Sequence, residues 1–218
     1  MYGFLTLRMT FLVTVALCQF ASADQTKIRT VQAFKEFMEK HPEIRHLEDV
    51  LPHLDPDVFS AHEAMVESRS QQGASLEFPR LIYFNKRSKL YPAAQFTIAL
   101  NGDPSQVGYD TLEMIEFHDS PQATMEFHKH VFRGDTERMI AYRKAHALDE
   151  KIPALRDCRS CHRADSRYNW DEYNIRPGVL SDVNGLSQKM RDAHESFYKN
   201  APGHPRYKTA ASQVYFLS

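Results

Sequence analysis

Cys158, Cys161 and His162 form a Cys-x-x-Cys-His cluster inside the stretch DCRSCHRADSRYNW, residues 157–170. Two thiols and an imidazole at this spacing can do three kinds of chemistry: hold a haem covalently, help complete a zinc site, or make a redox-active disulfide. On a helical turn, residues at i, i+3 and i+4 share one face. Two thiols so placed reach the two vinyl groups of one porphyrin as thioethers, and the imidazole falls under the ring as proximal iron ligand. A structural zinc site needs four ligands, commonly from a second close pair. The downstream candidates, His194 and His204, are ten apart and do not make one. A thioredoxin-like disulfide belongs in a βαβ unit, and no such pattern surrounds the pair. The favoured reading is one covalent haem c on Cys158 and Cys161, with His162 on the iron.

The sixth position on that iron has several candidates. Met190 lies on a predicted amphipathic helix, 28 residues after His162, with His194 one turn further along. A Met ligand raises the potential and suits electron transfer, although a Met on a helix is most often core filler. His118, His128 and His130, on predicted strands, are alternatives, as is an open or water-bound iron. Trp170, the only Trp, follows the cluster with Tyr168 and Tyr173 nearby. Flat rings of this kind wall a porphyrin from water or simply pack a core. Arg163, Arg167 and Arg176 could pair with haem propionates, against a default of solvated surface.

Cysteine use ties the cluster to an export signal. Arg8 precedes the apolar run MTFLVTVALCQF, and ASA stands before Asp24, which predicts a removable leader over residues 1–23. Cys18 offers a lipoprotein alternative, but Leu17 stands where lipidation signals want a small residue. Cleavage leaves 195 of the 218 residues, with Cys158 and Cys161 as the only cysteines. Arg8 is the one charged residue lost, so 26 basic face 28 acidic residues, without the basic excess of a nucleic-acid or anionic-membrane partner. The expected location is periplasmic or secreted, as in a Gram-negative bacterium, with no stable membrane insertion after cleavage.

The elements that must position the cluster fall into three zones of a single α+β domain over residues 24–218. Residues 24–76 read as a helical layer, through TVQAFKEFMEKH, PEIRHLEDVLPHL and DPDVFSAHEAMVESRS. Residues 77–134 read as a four-stranded antiparallel sheet: PRLIYFN, AQFTIALN, DTLEMIEFH and TMEFHKHVF, separated by turn-forming stretches. In the last strand Met125, Phe127 and Val131 share one face, while Glu126, His128 and His130 share the other. Residues 135–218 form the haem-attachment region, with predicted helices at DTERMIAYRKAHALDE and SQKMRDAHESFYKN. NGDPSQVGYD, residues 101–110, reads as a hairpin loop. The order helix, sheet, helix predicts a sheet covered on one side.

The segments FPRLIYFN, ALNGDPSQVGYDTLEMIEFH, CRSCH and NWDEYNIRPG carry a resemblance over roughly residues 78–185. Their order resembles a group of secreted bacterial c-type cytochrome-like proteins with a small β-region, a single Cys-x-x-Cys-His and a following Asn-Trp-x-x-Tyr…Pro-Gly element. The resemblance implies haem attachment at Cys158, Cys161 and His162 and brings no activity with it. Arg163 and Arg176 depart from the glycine and the aromatic expected there. The layout is also similar to the cytochrome c′-β class, in which haem attaches near the end of a mostly antiparallel sheet. That likeness implies an iron that binds gases or small oxidants; for the lysine cross-link found in part of that class, Lys86 and Lys89 are the positions available.

The expected function is electron transfer with redox partner proteins. The alternative is a haem-based sensor or small-molecule-binding domain with a displaceable sixth ligand. An enzymatic role ranks last: a di-haem peroxidase needs a second Cys-x-x-Cys-His, and the chain has no hydrolase elbow, metalloprotease motif or dinucleotide fingerprint.

Overall fold

The computed structural model describes residues 27–66, 72–85, 94–118, 124–149, 151–152 and 187–211. Within them the chain is α+β, built on one antiparallel sheet. Helix α1 spans Val31–Lys40 and starts where Thr30 caps it, the hydroxyl accepting from Ala33 N at 3.0 Å. Its first N–H, on Val31, donates to Glu116 Oε2 at 2.8 Å. A helix start leaves such N–H groups without partners inside the helix and favours negative charge nearby. That one strand carboxylate therefore serves the helix end and fixes it over the sheet. Val31 and Phe34 are buried, and Phe37 and Met38 pack beside them. A short α2, Leu47–Val50, and 3₁₀ turns at Leu51–His53 and Pro56–Phe59 complete the layer.

The sheet has five strands: β1 Ala61–Met65, β2 Arg80–Phe84, β3 Ala94–Leu100, β4 Thr111–His118 and β5 Thr124–Val131, paired in chain order. The four expected strands are β2 to β5. The fifth, β1, falls in DPDVFSAHEAMVESRS, which the sequence predicts as helix. Asp55 caps a 3₁₀ turn there by accepting from Asp57 N at 2.9 Å, and the chain then turns into an edge strand. Ala, Glu and Met favour helix locally. Pairing along β2, with His62 opposite Tyr83 and Ala64 opposite Leu81, overrides that preference.

The first face of the sheet carries the row Tyr83, Ile98, Met114, His128, with Leu81, Leu100 and Leu112 beside it. Phe34, Val58 and Phe59 pack onto this face in one core cluster, each buried side chain contributing about 1.5–3 kcal/mol. The second face carries the rows Phe84, Thr97, Ile115, Phe127 and Ile82, Ala99, Glu113, Lys129. Ile82 and Thr97 are 2% exposed and Ala99 4%, so the middle of this face is also buried. The expectation of a sheet covered on one side is thus too simple.

Helix α3, Arg133–Ala145, follows β5 directly. Helix α4, Gln188–Asn200, places Phe197 in the core, and a 3₁₀ turn at Ala201–Gly203 and α5, Lys208–Ala211, end the described chain. No helix among the described residues is long and apolar enough to cross a membrane.

Candidate functional site

Cys158, Cys161 and His162 lie outside the described residues, as do Arg163, Arg167, Tyr168, Trp170, Tyr173, Arg176, Lys86 and Lys89. Met190 stands in the first turn of α4. Positions 190, 194 and 198 are four apart and share one helix face, with about 12 Å of helix axis between the first and last. At the far end of that stripe Tyr198 meets β1, its hydroxyl 2.7 Å from His62 Nε2. Burial pushes the Tyr198 phenol up to about 12, so it stays neutral. This His–Tyr contact was not foreseen, because His62 sits in a stretch that reads as helix and its partner is far away in sequence.

The three strand histidines share the first face without converging. His128 and His130 pack against Phe34 of α1, with ring centroids 6.0 and 5.3 Å away. Burial, reinforced by Lys35, holds His128 below the usual imidazole range. Burial, reinforced by His128, does the same for His130. Both are therefore neutral rings held beneath a helix. His118 is half-exposed and lies 3.9 Å from Glu116 on one side and 3.9 Å from Glu126 on the other.

Two described groups have the composition of a cation site. The first is Glu116, His118 and Glu126. Its Glu126 already holds the Lys35 ammonium at 2.8 Å, and its Glu116 already accepts from Val31 N. The second is His46, Glu48 and Asp135. Here guanidinium groups occupy the charge: Arg138 reaches Glu48 at 3.0 Å and Asp135 at 3.2 Å, and the buried Arg206 reaches Asp135 at 2.7 Å. Burial opposes ionisation of Glu48, but Arg206 and Arg138 outweigh it and hold the carboxyl below its usual range. In each group a protein cation supplies the charge a metal would bring.

Arg206 is the centre of the second group. Its guanidinium donates to Asn101 O at 3.0 Å and to Tyr109 O, and lies 3.6 Å over the Tyr109 ring. The neighbouring Tyr207 hydroxyl donates to Pro79 O at 2.8 Å. These contacts close the loop expected at residues 101–110 against the tail that follows α4. Gly102 is required there, since a Cβ would lie 2.2 Å from the Tyr207 ring. The contacts stabilise the scaffold, while Asn101 Oδ1 stays buried there without a hydrogen-bond partner.

Compared with family models, with curated proteins and with solved structures, the chain matches none.

Proposed function

We propose that the chain is an exported c-type haem protein that carries one covalent haem and transfers electrons. The observation that supports this most is the Cys158-x-x-Cys161-His162 spacing, which uses both cysteines of the mature chain behind an export-type leader. The haem supplies the one-electron iron couple; the chain supplies two thioether anchors, an imidazole from His162, and walls that set solvent access and potential. Met190 is the first candidate for the opposite side of the iron, from its place at the start of α4. A chain with this role docks transiently to redox partner proteins and has no substrate of its own.

A second reading is a sensor or small-molecule-binding domain with a displaceable sixth ligand. The packing of His128 and His130 against Phe34 supports it, because rings engaged with α1 are poor candidates for a permanent sixth ligand and leave that position open to a small molecule.

The test is expression with cytochrome c maturation machinery, followed by staining of a denaturing gel for haem-linked peroxidase activity. Stain in the native chain and none in a Cys158→Ala/Cys161→Ala variant is the expected pair of results. An unstained native chain, or stain that survives in the variant, refutes covalent attachment at these cysteines. Reduced spectra with and without carbon monoxide then separate the two readings: rapid binding counts against electron transfer with six-coordinate iron, and no change counts against the sensor.

A further inference from the structure

Many helices end on a residue in the left-handed region, and glycine is the usual choice because it has no Cβ to clash there. Helix α3 ends in that way without a glycine. Ala147, one position past the cap at His146, has φ 52° and is the one non-glycine residue with positive φ among the described residues. The turn around it is well made. Leu148 N donates to Arg143 O at 2.9 Å, and Ala147 N donates to Lys144 O at 3.3 Å. Arg143 Nε also donates to Asp149 O, and Asp149 Oδ1 accepts from Lys151 N at 2.9 Å.

The sequence points to a later end. DTERMIAYRKAHALDE reads as one helix, and alanine, held in the left-handed region at 147, is the best helix former of all. Continuing the helix through Asp149 costs no hydrogen bond at the turn. Ala147 N would take Arg143 O and Leu148 N would take Lys144 O, so the same two donors and the same two acceptors exchange partners. Asp149 N gains Ala145 O, while Arg143 Nε gives up Asp149 O.

Strain at Ala147 favours the longer helix. Charge favours the shorter one. Arg143 and Lys144 stand in its last turn, where cations suit a helix end, whereas the longer helix would end on the carboxylate of Asp149. The two effects are of similar size and opposite sign. Packing does not decide between them, since Met139 is the last buried residue of α3 and every residue from Ile140 to Asp149 is exposed or half-buried.

We propose that residues 146–149 are a two-state helix end, in which the capped turn is in equilibrium with a helix continued through Asp149. The longer form adds one turn to α3 and places Ile140, Ala141, Ala145 and Leu148 within an arc of about 140° on one side of it. In the capped form Leu148 lies beyond the helix end, so that stripe is incomplete. Charge at this end selects between the two forms.

Nuclear magnetic resonance of the full chain tests this, with two substitutions at exposed positions. A strong contact between the amide and α protons of residue 147 marks the capped turn. Contacts from the α proton of residue 145 to the amide of 148, and from that of 146 to the amide of 149, mark the longer helix. The native chain should show both sets in unequal strength. Ala147→Gly relieves the strain and weakens the helix, and should shift the ratio toward the turn by roughly tenfold or more. Asp149→Ala removes the carboxylate and its hold on Lys151 N, and should strengthen the longer-helix contacts while the contact within residue 147 fades. A native chain and an Asp149→Ala variant that both show the turn alone overturn the proposal. So do longer-helix contacts that survive Ala147→Gly at full strength.

Discussion

At the scale of single residues, the charge state of His128 and His130 makes stability depend on pH. Both are held below the usual imidazole range in the fold, chiefly by burial, whereas in the unfolded chain each titrates near 6.5. The unfolded state therefore binds more protons as the solution is acidified. The stability they contribute is complete above about 6.5 and is lost as pH falls through that value toward the folded ones. Lys35 from α1 and Glu126 on the same strand face the pair and act in opposite directions on His128. Urea unfolding at roughly pH 7.5 and pH 5 should show a decline that a His128→Gln/His130→Gln variant flattens; an equal decline in both proteins would refute the assignment. Gly102→Ala is a second test at this scale. The added Cβ must displace the Tyr207 ring, at a cost of about 1–3 kcal/mol in unfolding free energy. Neither feature was legible in the sequence. Histidines on a strand look solvated until the helix above them is placed, and Gly102 looks like any turn glycine.

At the scale of elements, the N-terminal layer is held by a cap and by a long-range carboxylate. Removing the Thr30 hydroxyl in Thr30→Ala should cost about 1 kcal/mol, and the amides of α1 should exchange faster while those of β3 and β4 keep their protection. Protection lost uniformly would mean that α1 and the sheet open as one unit. Strands β2 to β5 were readable because alternating apolar residues and the turn stretches between them agree. Helices α1, α3 and α4 were readable from their periodicity and flanking residues. Strand β1 was not, because Ala61–Met65 consists largely of helix formers and becomes a strand only through pairing with β2. The alternation in β5 was readable, but which of its two faces α1 covers was not. The face with Glu126, His128 and His130 lies under α1, and the more apolar Met125 and Phe127 belong to the second face.

At the scale of the whole molecule, Arg206 joins the tail after α4 to α2, α3 and the loop between β3 and β4. Its partners Glu48, Asp135, and Asn101 with Tyr109 come from three separate stretches. No sequence pattern announces such a contact, since each member is ordinary in its own segment. Arg206→Ala leaves Asp135 buried without its main cation and should cost about 3–5 kcal/mol in denaturant unfolding; a loss below about 1 kcal/mol would mean the network is solvated. The candidate site had the opposite legibility. The proposed attachment residues, Cys158, Cys161 and His162, are close in sequence and suggest themselves by spacing, whereas a sixth ligand to a proposed iron would depend on what the fold brings near. The central claim, a haem carried on Cys158 and Cys161, is tested most directly by the intact mass of the protein purified from the periplasm under denaturing conditions. The expected mass is that of a chain beginning at Asp24 plus one haem, reverting to the bare polypeptide in the Cys158→Ala/Cys161→Ala variant. A native chain with the bare polypeptide mass, made where known c-type cytochromes mature normally, would contradict it.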